Sequence, residues 1–342
     1  MVERSHAGDG PVTVHDVAVA AGVSRQTVSN VVNAPERVSP GTRQRVEAAI
    51  RQLGYQPNRV ARALRAHASR LIGYRIRPNR PDALVAILDR FLHAFAEAAR
   101  DLDHHLLLFA ADTDEVAACG RLLRGGAVDG FVLTDLDYAD PRPDAIAALG
   151  APFASFGRTG DEHPWVDVDN AAGTGLATEH LIAAGHRRIG YVGVPAGDRI
   201  GDDRAAGWYA AMRRHGLGGE LTRHAYDSIE AGERAGAELL AAADPPTAIV
   251  AATDVFAVGV VRAAQHRGLR IGTDLAVTGF DDTPTAEVLG LTSVRQPVEQ
   301  VARALLAVLA PQLPGAPADL PPAPTERLIV PDLVVRDSSR PL

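Results

Sequence analysis

Between Ser24 and Asn30 the chain reads SRQTVSN, a run in which hydrogen-bonding side chains outnumber apolar ones. A glutamine amide offers donor and acceptor together to an adenine edge, and an arginine fork fits guanine or phosphate. Gln26 and Arg25 are therefore candidate base readers. Ser29 and Asn30 would add shorter polar contacts, while Ser24 and Thr27 would hold phosphates. The plainer alternative is the polar outer face of an ordinary three-helix module.

Three short helices are expected to position these groups over residues 13–54. Thr13 followed by Asp16 is a capping box, and Val14, Val17, Ala18 and Ala21 follow at helical spacing until Gly22 breaks the pattern. Ser24 is placed to cap a second helix whose stripe is Val28, Val31 and Val32, leaving Arg25, Gln26, Ser29 and Asn30 outward. Ser39 and Pro40 open a third, with Val46, Ile50 and Leu53 inward and Gly54 at its end. Two helices joined by a tight turn, the second polar on its outer face, form a helix-turn-helix pattern.

Charge is distributed to match. Residues 1–70 hold ten arginines against five acidic residues, a balance of +5, which leaves −12 for the rest of a 342-residue chain whose net charge is −7. A basic head on an acidic body suits a polyanion partner for the head and other work for the body. The chain has no lysine, and its single cysteine, Cys119, excludes an internal disulfide framework and a cysteine-built zinc site. Neither a secretory signal nor a run of roughly 18 uncharged apolar residues occurs, so a cytoplasmic protein with no membrane partner is expected.

With 46% hydrophobic residues, the chain is long enough for two or three packed units. From residue 70 onward strand-length apolar runs alternate with amphipathic helical stretches such as Ala83 to Leu102 and Thr178 to Ala184. The runs are LIGYRI, LLLFA, GFVLT, PFASF, RIGYVG, AIVAAT and LAVTGF, with RLIVPDLVV as a last strand. This alternation predicts two doubly wound parallel sheets with ligands at the strands' carboxyl ends.

Residues 12–65 closely resemble the head and hinge of LacI/GalR regulators. The marks are DVA at Asp16, AGVS at Ala21, TVS at Thr27, VSPGTR at Val38 and LGYQPN at Leu53. The resemblance places Arg25, Gln26 and Asn30 at base-reading positions, Asn30 standing where the family often has arginine. It also implies a hinge helix capped by Asn58, with Arg59, Arg62 and Arg65 along phosphates and Leu64 as a minor-groove wedge. So short a helix is unstable alone and would form only when two copies pair on DNA, which gives the regulator its switch.

The remainder resembles the family's two-lobed body in ATEHLIAAGHRRIGYVG at Ala177, RAAGW at Arg204, VTGFDD at Val277 and LTSVRQP at Leu291. The fold implied is a small all-α helix-turn-helix head plus an α/β two-lobed periplasmic-binding-protein-like body. Its boundaries are a head at 1–57, a hinge helix at 58–69, one lobe from 70–158 and 291–320, and the other from 159–290 and 321–342. By the same resemblance Arg204 and Asp281 face an effector, with Arg158, Thr253, Asp254 and Trp165 as further candidates and Trp208 as core. Arginine and aspartate lining a cleft suit the vicinal hydroxyls of a sugar, a mono- or disaccharide, although a purine or other metabolite would also fit Arg204.

A nucleotide-dependent enzyme is disfavoured: Gly173, Thr174 and Gly175 lack the glycine needed at Thr178, and no phosphate loop is possible without lysine. No cofactor or metal is expected; the adjacent His104 and His105 would point to different faces. The expectation is a homodimeric regulator, with repression implied as the family's usual outcome, bound to a pseudo-palindromic operator in double-stranded DNA and controlled by a small molecule. The other class left open is a cytoplasmic sugar-binding module without specific DNA recognition.

Overall fold

The structure is a computed structural model in which the described residues are 12–33, 35–55, 68–76, 83–111, 114–159, 162–316, 320 and 327–339. The chain divides into two compact units, Met1–Ala68 and Ser69–Leu342. Asn58, Arg59, Arg62 and Leu64 lie outside the described residues.

In the first unit α1 spans Val14–Ala21, α2 Arg25–Asn33 and α3 Pro40–Leu53. The Thr13–Asp16 capping box forms in both directions, and Gly22 ends α1 at φ 65°, a left-handed conformation that costs glycine little. Val17, Ala18, Ala21, Val28, Val31, Val46 and Ala49 make the core, with Ile50 and Leu53 packed against it. Ser39 precedes α3 without capping its backbone; its hydroxyl donates to Thr42 Oγ1 at 3.0 Å.

The second unit holds two sheets. The first joins β1 (Leu71–Arg75), β2 (His105–Phe109), β3 (Gly130–Leu133), β4 (Phe153–Phe156), β5 (Trp165–Val168) and β11 (Leu328–Ile329), in the order β11-β5-β4-β3-β1-β2, all parallel. The second joins β6 (Ile189–Gly193), β7 (Thr222–His224), β8 (Ala248–Ala251), β9 (Ala276–Phe280), β10 (Thr292–Arg295) and β12 (Asp332–Val334), in the order β12-β10-β9-β8-β6-β7. Only β12 in this set runs antiparallel, against β10. Each sheet thus repeats one winding, with a reversal of strand order beside β1 and beside β6, where crevices open at strand carboxyl ends.

Helices cover both sheets. On the first, Phe91 and Phe95 of α4 (Ala83–Asp101) and Val301, Leu305 and Leu309 of α12 (Val298–Leu309) bury against Ile72, Tyr74 and Val166. On the second, α7 (Asn170–Ala183), α8 (Arg199–Arg214), α9 (Ile229–Leu240) and α10 (Asp254–His266) enclose a core that includes Trp208, stacked 5.5 Å from Tyr191. Gly207, in the RAAGW stretch, lets α8 approach α7: a Cβ there would lie 2.1 Å from the Ala171 carbonyl oxygen. Among the described residues no helix is long and apolar enough to cross a membrane.

Three sequence expectations need correction. The run RLIVPDLVV is not one strand; it divides at Pro331, which has no N–H to give a ladder, into β11 of the first sheet and β12 of the second. The lobe boundaries at 158, 290 and 320 all fall too early. Trp165–Val168 still belongs to the first sheet, β10 to the second, and β11 to the first, so the chain crosses near Asp169, Gln296 and Val330. Finally, β5, β7 and β10 join the strands that the apolar runs indicated.

Candidate nucleic-acid face and ligand cleft

On the first unit, Ser24 accepts the Thr27 N–H at 3.1 Å and so caps α2, and its hydroxyl also meets that of Thr27 at 2.9 Å. Arg25 and Gln26 in the first turn are exposed, and Ser29 and Asn30 one turn later are half-buried. Gln26 Nε2 donates to Asn30 Oδ1 at 3.0 Å, an i to i+4 pair that aligns both amides on one face. Val28 and Val31 fix that face outward by taking the core side. The Thr13 hydroxyl is committed to the α1 cap, donating to Asp16 Oδ2 at 2.7 Å. The Thr13 N–H, and then that bond, hold the Asp16 carboxyl below its ordinary range.

On the second unit, the segments that follow the strand carboxyl ends of both sheets converge on a cavity of about 600 Å³. Leu136 follows β3, Phe156 and Gly157 close β4, and Asp167 sits near the end of β5. From the other sheet come Val194 after β6, Asp227 after β7, Thr253 after β8, Asp281 after β9 and Gln296 after β10.

Arg204 of α8 forms the floor. Its Nε donates to Asn170 Oδ1 at 2.9 Å, one terminal nitrogen to the Ala252 carbonyl at 2.6 Å, and the other reaches Asp281 Oδ1 at 3.4 Å. The guanidinium lies 3.7 Å from the centroid of the Phe280 ring. Gln296 Nε2 donates to the same Asp281 oxygen at 2.7 Å. Asp281 is held at φ 106°, a backbone conformation rare for a residue with a side chain, and such strain gathers at ligand sites. Burial raises its carboxyl pKa; Arg204 and Gln296 oppose the rise and Asp254 adds to it. Burial also raises that of Asp167, to about 6, against the Val168 N–H and Arg158. The floor thus offers fixed donors beside strong acceptors, the pairing that vicinal hydroxyls need.

Of the sequence candidates, Arg204, Thr253 and Asp281 line this cavity and Arg158, Trp165 and Asp254 do not. Thr253 also caps α10 and donates its hydroxyl to Asp227 at 2.8 Å. Arg158 turns away to an ion pair with Asp203 of α8 and stands 3.8 Å from Asp167. Trp165 begins β5 rather than sitting on a loop, far from the carboxyl end that faces the cleft, and is buried beneath Arg327. Asp254 is a buried anchor that accepts bonds from Thr283 N, Thr283 Oγ1 and Ser293 Oγ. Asn170, Asp167 and Gln296 were not singled out from the sequence. Each sits at or just beyond a strand's carboxyl end, and that rule, applied to every strand, finds them. Among the described residues no cluster of three or more potential metal ligands occurs.

Two family profiles match the chain: "Bacterial regulatory proteins, lacI family" over residues 13–58 and "Periplasmic binding protein-like domain" over residues 178–339. The HTH-type transcriptional regulator CelR of Thermobifida fusca is 31% identical over 95% of this chain and 98% of its own. The lactose operon repressor of Escherichia coli K12 is 34% identical over 84% and 80%. Among solved structures, the lac repressor dimer bound to operator and the anti-inducer ONPF superposes with a TM-score of 0.77 at 30% identity, covering 97% of this chain and 100% of that one. A CelR–cellobiose complex gives 0.69 at 31% identity, covering 96% and 99%.

Proposed function

Because the chain belongs to the LacI family of DNA-binding transcriptional regulators, we propose that a sugar bound in the cleft of the second unit controls its affinity for an operator, and that it acts as a repressor. The observation that carries the sugar is the floor, where Arg204 and Gln296 donate to the buried Asp281 carboxylate and Asn170 accepts from Arg204. The relative solved with cellobiose supports the same class of ligand.

On the DNA side, Arg25 and Gln26 read base edges, Asn30 and Ser29 add shorter contacts, Ser24 and Thr27 meet phosphates, and Thr13, its hydroxyl held in the α1 cap, stands at the DNA face by fixing the start of α1. Asn58, Arg59, Arg62 and Leu64 act as the hinge. The assembly is a cytoplasmic homodimer on a pseudo-palindromic site, as the dimeric lac repressor on operator supports.

Fluorescence anisotropy on operator-sized DNA at fixed moderate salt, repeated across mono- and disaccharides, tests the proposal. Specific binding shifted by one sugar is the expected result, with weaker binding identifying an inducer. Specific binding that responds to no sugar but to a purine nucleoside would replace the effector. Absence of specific binding throughout would leave a ligand-binding module only.

A further inference from the structure

The second unit begins at Ser69, and its first two residues are fixed by one carboxylate sixty residues further along the chain. Asp129, buried immediately before β3, accepts from Ser69 N at 2.6 Å and Ser69 Oγ at 2.9 Å on one oxygen and from Arg70 N at 2.8 Å on the other. The Ser69 hydroxyl accepts in turn from Leu71 N at 3.1 Å. From the opposite flank His105 N, at the start of β2, donates to the Arg70 carbonyl at 2.9 Å. Arg70 itself sits at φ 59°, a left-handed conformation that a residue with a long side chain rarely takes.

Strand β1 is held in its sheet without this joint. Its Ile72 and Tyr74 are buried, and it is laddered to β2 on one side and β3 on the other. A left-handed residue breaks the extended line of the strand, so the direction of the chain at Ser69 is set by the Asp129 carboxylate and not by β1. Strained backbone persists only where its surroundings over-determine it, and it gathers where function needs a fixed geometry. Upstream of Ser69 the chain leads to the helix-turn-helix head.

We propose that Asp129 is a positioning residue for operator recognition: it holds Ser69 and Arg70 so that the chain leaves the body for the head in one direction. This rests on the operator reading above and gives a role to a residue outside both the head and the cleft lining. A two-fold site must be met by two heads at a fixed spacing, and a tether clamped at its root gives up less freedom on binding than one free to pivot. Binding to non-cognate DNA, which asks only for phosphate contacts, gains nothing from the clamp.

Fluorescence anisotropy of the full-length protein at fixed salt tests the clamp on two duplexes, one selected from random-sequence DNA by the parent protein and one scrambled from it. Asp129→Asn places an amide N–H₂ against donors and should weaken binding to the selected duplex by about tenfold or more, the size of one lost hydrogen bond to a charged group. Affinity for the scrambled duplex should stay within about threefold of the parent's. Ser69→Ala keeps both backbone donors and should show the same split at smaller size, and it decides the matter if Asp129→Asn does not fold, as urea unfolding followed by tryptophan fluorescence reports. A folded variant that keeps the parent's ratio between the two duplexes, whether both affinities hold or both fall alike, overturns the proposal and leaves Asp129 as a brace for β1 only. If selection with the parent yields no duplex bound better than its scrambled form, the operator reading falls and the clamp's role falls with it.

Discussion

Removing the Asp254 carboxylate separates a structural anchor from a ligand contact. The side chain is 1% exposed and accepts from Thr283 N at 2.7 Å, Thr283 Oγ1 at 2.9 Å and Ser293 Oγ at 2.6 Å. Its place is tightly set: a Cβ on Gly279 would come within 2.2 Å of Asp254 Oδ1. Hydrogen bonds to a charged acceptor contribute about 1.5–3 kcal/mol each, and Asp254→Ala leaves all three donors without it. Burial raises the carboxyl pKa, so part of that gain is already spent on keeping the group ionised. The net loss should be about 3–5 kcal/mol of body stability. Urea unfolding followed by tryptophan fluorescence measures it, since Trp208 is fully buried in the same core. At low temperature, where the variant is folded, its affinity for the effector sugar should stay within about threefold of the parent's, which is about 0.6 kcal/mol. A stability change below about 1 kcal/mol combined with lost sugar affinity would refute this reasoning and return Asp254 to the ligand shell.

Four further outcomes follow from the same geometry. Asp167 has its pKa raised to about 6 from 3.8, so the folded state takes up a proton between those values and stability falls as pH rises through them, by up to roughly 3 kcal/mol. Asp167→Asn should therefore gain on the parent by about that amount between pH 4 and pH 7, and parallel pH profiles would exclude the assignment. Arg204→Ala and Asp281→Asn should each abolish the response of operator binding to sugar while sparing sugar-free DNA affinity; a response kept by both would remove the proposed floor. Gln26→Ala should cost about 1–3 kcal/mol on the operator and relax discrimination at one base pair, read by anisotropy on single-base operator variants. Thr13→Ala should lower the head's thermal stability by about 0.5–2 kcal/mol through loss of the α1 cap, and an unchanged melting transition would contradict it.

The head was legible because its determinants are local. Thr13 with Asp16, Gly22 at positive φ and Pro40 at the start of α3 each act within a few residues. The strands buried on both faces were legible as apolar runs, Ile189–Gly193 being buried throughout. Strand β5 was hidden because Asp167 interrupts its run, and β7 because three residues with no fully buried member leave no pattern. The motifs led to Arg204 and Asp281, yet they could not separate them from Asp254, Arg158 and Trp165. What separates these residues is a partner far away in sequence: Ser293 for Asp254, Asp203 for Arg158, and the strand position for Trp165.

The same distant partners bear on the proposed control of the body by a small ligand. Among the described residues, polar contacts that span the two sheets' layers at the cleft include Arg158 to Asp203, the Arg90 guanidinium to the Asp281 carbonyl at 3.4 Å, Arg199 over Tyr138, and Tyr138 with Asp202. Partly exposed ion pairs contribute about 0–1 kcal/mol each. Each is thus no larger than the differential affinity a ligand can supply. A ligand that touches Asp167 from one lobe and Arg204 and Asp281 from the other adds directly to that balance. A ligand with equal affinity for two arrangements of a protein shifts nothing, however tightly it is held.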